Sequence, residues 1–146
     1  MQIANILLSI TSTVALILGL FILLSNPQKN ENRSLSGFIF SIFIWLIANL
    51  ATNLSKNPDM ALVFARLTLV GPVLFAYFFY IFVALFVDPS KATKKHLIRA
   101  AIPGFLVLLA TPTSLNIESI GAYGANTKVG SIYTVAVPVI LAYMIV

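Results

Sequence analysis

Cysteine is absent from the 146 residues, and only 9% of them carry a charge. Without thiols there is no disulfide frame, no thiolate metal site and no cysteine nucleophile, and the redox compartment stays open. Acid groups are scarce too: Glu31, Asp59, Asp88 and Glu118 are the 4 carboxylates, and His96 is the 1 histidine. Each carboxylate falls in an expected loop or at a span end, never mid-span, where a proton relay or cation carrier would often place one. A glycine-rich phosphate loop, a His-Glu-x-x-His pair and a nucleophile elbow are also missing. The sequence thus offers no catalytic residue, no metal site and no cofactor, and it reads as a non-enzyme.

Apolar length is what the chain has instead, with 60% of its residues hydrophobic. A soluble domain of this size has too little interior to hide so much apolar surface. Long runs almost free of charge are the mark of a bilayer solvent. The net charge of +5 lies mostly beside these runs. That placement suits lipid headgroups better than a phosphate groove, so the lipid bilayer is the expected partner and nucleic acid is not.

Five runs qualify as spans: 3–24, 35–54, 60–87, 100–117 and 129–146. The first lacks a basic start and exceeds a signal-peptide core, so it reads as a retained span. At 1.5 Å per residue it makes roughly 33 Å of helix, stopped by Asn26-Pro27. Phe38, Phe40, Phe43 and Trp45 mark the second, and Asn57-Pro58 breaks the turn after it. The third is longer than the hydrocarbon core requires, which predicts a tilt or a kink at Gly71-Pro72. Asp88-Pro89-Ser90 ends it. A basic stretch, Lys91, Lys94, Lys95, His96 and Arg99, leads into the fourth, which Pro103 and Pro112 interrupt. A small-residue loop over 121–130 precedes the last run, which contains Pro138 and ends without a polar cap, as in a fragment of a longer chain.

The expectation is an all-α polytopic transmembrane helix bundle of about five spans, a single membrane-embedded domain over 1–146. Lys29, Arg33, Lys91, Lys94, Lys95 and Arg99 fall in the connectors after the first and third spans, six of the 9 Lys and Arg. Lys56, Lys128 and Arg66 fall on the other side. The imbalance places those connectors in the cytoplasm and the N-terminus outside.

Candidate site residues are few. Arg66 stands about 10 Å of helix from Asp59. A cation in a span costs about 2.5–3.5 kcal/mol at the bilayer centre, so it is paired, snorkels to the interface, or contacts an anionic ligand. Asp59 and Glu118 are its candidate partners. Trp45, Asn49 and Asn53 recur every four residues on one helical face, with Thr52 beside them. Such amides act either as glue between helices or as a ligand pocket open to the outside. Asn5, Ser9, Ser12 and Thr13 form a similar stripe on the first span and read as packing. Phe75, Tyr77, Phe78, Phe79, Tyr80, Phe82 and Phe86 surround the third span, as expected for lipid contact and packing. His96 lacks the acidic neighbour of a phosphoacceptor and reads as part of a solvated basic loop, whose cations attract anionic headgroups at about 1 kcal/mol each.

Several strings resemble a known family. Leu23-Leu24-Ser25-Asn26-Pro27 followed by Asn32-Arg33-Ser34-Leu35 is similar to the first turn of the N-terminal seven-transmembrane region of bacterial sensor histidine kinases. The stretch from Phe38 to Trp45 resembles that family's second helix. Phe64-Ala65-Arg66-Leu67 with Gly71-Pro72 resembles its third, and Pro103 fits its fourth. The resemblance covers residues 1 to about 115 and implies a sensory input in the bacterial cytoplasmic membrane, a two-component signal-transduction part read out by a kinase or cyclase domain. Relative to that family the final two spans and the output domain are missing. The expected function is therefore a membrane-embedded sensory module with an unknown small-molecule ligand. A homodimer is compatible with a kinase input, although no small-x-x-x-small seam supports one. A transporter or channel subunit and a small structural or assembly protein are the alternatives.

Overall fold

A computed structural model describes residues 2–87, 89, 92–119 and 128–145. The expected stop at Asp88 and Ser90, the cation Lys91 and most of the small-residue loop lie outside the described residues. Among those described, the chain forms six helices and one two-stranded ribbon.

Helix α1, Gln2–Ser25, stops just ahead of Pro27. A turn closed by Lys29 N–H on the Asn26 carbonyl (3.2 Å) reverses the chain. Helix α2, Asn30–Leu54, begins earlier than expected: Asn30, Glu31, Asn32 and Arg33 form its first turn rather than a loop. The early start has a cause, since Glu31 complements the positive end of the helix. The Asn32 side-chain amide also donates to the Ile22 carbonyl at 3.3 Å, tying the two helix ends together.

The third expected span is a broken helix. Its first part, α3, is Pro58–Leu67, and its second, α4, is Val70–Val87. Asn57 caps α3 by accepting from Asp59 N–H at 2.8 Å, and Pro58 sits where the missing donor costs nothing. The break falls at Thr68-Leu69, ahead of the Gly71-Pro72 pair. Proline disrupts the bond to the carbonyl four residues earlier, and for Pro72 that carbonyl belongs to Thr68. At the same point the Thr68 amide and hydroxyl both donate to the Ala65 carbonyl, at 3.2 and 2.6 Å, in a tighter last turn of α3.

Helix α5, Lys94–Ala110, also departs from expectation. Lys94, Lys95, His96 and Arg99 are helical, not loop, because Thr93 caps them with its hydroxyl toward His96 N–H (3.4 Å). At its far end α5 stops at Ala110, where Pro112 forbids continuation, so residues 111–116 form turns. The chain then enters an unanticipated antiparallel ribbon of β1, Ile117–Ser119, and β2, Lys128–Val129. The helical rule that built the expected fourth span to 117 fails there because Thr111, Thr113, Ser114 and Asn116 bond locally. Helix α6, Tyr133–Met144, carries Pro138 and is shorter than its apolar run.

Gln2–Ser25, Asn30–Leu54 and Pro58–Val87 are long and apolar enough to cross a membrane, whereas α6 is a shorter apolar helix. α2 packs on α1, α3 and α4, and α4 in turn on α5 and α6. The α2–α4 seam is tight. A side chain at Gly71 would strike the Trp45 Cβ and lie 2.9 Å from the Ser41 carbonyl. Ser34, Ser41 and Ala48, seven residues apart and buried, make one small-residue face of α2. Small side chains let main chains approach where lipid supplies no squeeze.

Leu69, Val73, Val107 and Ala136 form a small apolar core, yet polar side chains share the interior and many large apolar ones cover the outside. Ser12, Ser34, Ser36, Ser41, Thr111 and Asn116 are buried, while Ile3, Phe21 and Leu24 of α1 are 75%, 68% and 73% exposed. The buried hydroxyls are satisfied: Ser36 donates to the Gly19 carbonyl of α1 at 2.8 Å, and Ser12 to the Ser9 carbonyl at 2.9 Å. Polar groups inside and large apolar ones outside are what hydrocarbon demands.

Candidate functional site

Arg66 stands in the last turn of α3, where its side chain reaches the turn beyond α5. Nε donates to the Ile117 carbonyl at 2.9 Å and an outer guanidinium nitrogen to that of Pro112 at 3.2 Å. Its own carbonyl accepts from the Asn116 side-chain amide at 2.5 Å, which also donates to Thr111 at 2.9 Å. Asn116 is wholly buried, and its Oδ1 has no protein partner among the described residues. Thr111 returns its hydroxyl to Val107 at 3.1 Å. Among the described residues, then, Arg66 takes carbonyl oxygens as partners rather than Asp59 or Glu118. A planar, permanently charged fork suits this, because it can serve two carbonyls of one turn together. The turn is anchored from below as well, by Gly130 N–H to the Asn116 carbonyl at 2.6 Å and Ile132 N–H to Leu115 at 2.8 Å. Gly130 is required there, since a Cβ would collide with the Leu115 carbonyl group.

The α2 stripe has separate settings. Asn49 donates to the Trp45 carbonyl one turn back (2.8 Å), whereas Asn53 donates to the Asn5 side chain of α1 at 3.3 Å. Asn53 thus joins two helices as an amide clasp. Trp45 borders a cavity of about 310 Å³ with Ser41, Gly71, Pro72, Phe75 and Ile140. The four candidate residues therefore take partners in different places.

Two features escaped the sequence. The first is Tyr143 of α6, buried against α5 beside Pro103. Its hydroxyl accepts from Gly104 N–H at 3.2 Å and donates in a short bond to the Ala100 carbonyl. In an unbroken helix those two main-chain groups would bond each other. Tyr143 bonds both of them, one position past the pair, Pro103 and Arg99, that proline's missing N–H leaves unbonded. A Pro-Gly pair inside an apolar run was the available signal, because the freed groups must find a partner in lipid. Around it, Tyr77 and Tyr80 of α4 lie with ring centroids 6.2 and 6.0 Å from that of Tyr143. Tyr77 donates to the Leu97 carbonyl at 3.2 Å, and Tyr80 contacts the His96 ring nitrogen in a short hydrogen bond. His96 is exposed, as the loop reading had it, yet it is held by α4.

The second is a groove of about 630 Å³ between the starts of α2 and α5 and the end of α4. Arg33 and Lys94 line it together with Leu23, Phe40, Phe78 and Leu85. Its lining puts the first and third connectors of the sequence at one end of the bundle. Asn5 and Asn53 meet at the other.

Three long apolar helices with exposed apolar faces, packed through small and hydroxyl side chains, define an α-helical membrane protein. Within that class, residues 7–146 match the N-terminal 7TM region of histidine kinase, and the chain belongs to this family. The match runs well past residue 115, so α6 shares the family pattern that the quoted strings had carried only through the fourth span. No curated protein and no solved structure matches the chain.

Proposed function

We propose that the chain is the membrane-embedded sensory input of a histidine kinase, crossing the cell membrane as α1, α2, α3–α4, α5 and α6. In this reading the N-terminus is outside, and the end bearing Lys29, Arg33, Lys94, Lys95 and Arg99 faces the cytoplasm, as the excess of cations there favours. The observation that carries the sensory role is the pair of bonds from Tyr143 of α6 to the α5 main chain beside Pro103. It joins α5 to α6 through two main-chain groups that an ordinary helix ladder pairs with each other. Two hydrogen-bonded arrangements of similar composition are what a stimulus needs if it is to shift a population. Arg66 acts as a strut that fixes the turn after α5, Asn49 and Asn53 hold α2, and Trp45 is the residue a small apolar stimulus would meet in the cavity against Gly71 and Pro72.

The test is autophosphorylation, in membrane vesicles, of the kinase that carries this region. Replacing Tyr143 by Phe keeps the ring and removes the bridge. Output should change by about fivefold or more, the scale of an ordinary coupling energy. Unchanged output from Y143F, with normal insertion and amount, would remove the switch from this reading.

A further inference from the structure

The groove beside Arg33 and Lys94 is not used by the mechanism above. Its chemistry is divided. Phe40, Phe78, Leu85 and Ile98 supply apolar walls, while the 2 cations come from different elements, the first turn of α2 and the first turn of α5. Among the described residues no carboxylate lines it. Its volume of about 630 Å³ lies within the usual range for a ligand site. Lys94 and Arg33 are exposed, and Ile98 is 56% exposed, so the groove opens to the surroundings of the bundle.

We propose that this groove holds one anionic phospholipid of the bilayer, its phosphodiester between Arg33 and Lys94 and an acyl chain against Phe40, Phe78 and Leu85. Two cations from separate helices, with no described carboxylate in the lining, select negative charge. Apolar walls select a chain attached to it, which a free phosphate lacks. The headgroup makes a bidentate partner for the Arg33 fork and a point partner for Lys94. Bound there, the lipid bridges α2 to α5, two helices that otherwise meet chiefly through α4. The proposal rests on the membrane reading but not on the sidedness or the kinase role.

Native mass spectrometry of the purified 146-residue chain, released from nanodiscs of phosphatidylglycerol mixed equally with phosphatidylcholine, tests this directly. One phosphatidylglycerol should stay bound in preference to phosphatidylcholine. Each of R33Q and K94Q should reduce that preference by about fivefold, as expected for a basic residue at an anionic surface. K56Q, at the other end, should leave it unchanged, and inorganic phosphate should not displace the lipid. Equal retention of both lipids, or equal loss in K56Q, would leave a membrane protein with ordinary annular lipid and overturn the groove. Displacement by inorganic phosphate would assign the two cations to a free anion. A lipid-free dimer would assign the face to a second copy. If no lipid of either kind is retained and the chain stays folded in plain buffer, the membrane reading fails with it.

Discussion

Arg66 shows how one charged side chain can hold a turn in place. Its two bonds satisfy the Ile117 and Pro112 carbonyls, while Asn116 satisfies its own. Removing the fork leaves carbonyls without partners, so Arg66→Ala should cost about 1–3 kcal/mol. Arg66→Lys keeps the charge but cannot span both carbonyls, and an intermediate loss is expected. Unfolding in a denaturing detergent titration would rank the three proteins. A Lys variant as stable as wild type would show that charge alone is needed. Tyr143→Phe should cost about 1 kcal/mol and speed hydrogen exchange at the Gly104 amide, while amides of the α1 ladder keep their rates. From the sequence, the charge on Arg66 marked it as unusual. Its partners were not legible, because they are main-chain oxygens of a turn that was expected to be helix.

The first three apolar runs were legible as long helices, and proline marked where they end or break, whereas α5 and α6 are shorter than the runs at 100–117 and 129–146. Asn26-Pro27 ends α1, Asn57-Pro58 starts α3, and the break in the third span lies four residues ahead of Pro72. Boundaries moved where a cap decided them. Thr93 recruited the cations of α5 into its first turn, and local bonds from Thr111 and Asn116 turned the expected end of that span into turns and a ribbon. Tertiary placement of Tyr143 was invisible, since its partner lies 39 residues away. At the α2–α4 seam, space is the limiting quantity. Gly71→Val should force the helices apart at Trp45 and cost about 1–3 kcal/mol through overpacking. Its melting temperature in detergent checks this, and an unchanged value would mean that the seam yields without loss.

For the molecule as a whole, hydrocarbon is the solvent that explains the burial pattern. Serine, threonine and asparagine side chains are buried between helices, and α1 turns Ile6, Ile10, Val14, Ile17 and Phe21 outward. In water that face would be an aggregation site rather than a surface. The absence of cysteine makes the claim simple to measure, because each of those positions can carry a single spin label. Paramagnetic accessibility in liposomes compares oxygen, which concentrates in lipid, with a nickel chelate, which stays in water. High oxygen and low nickel contact at all five positions is the predicted result, while high nickel contact along the middle of α1 would contradict a membrane-embedded sensor.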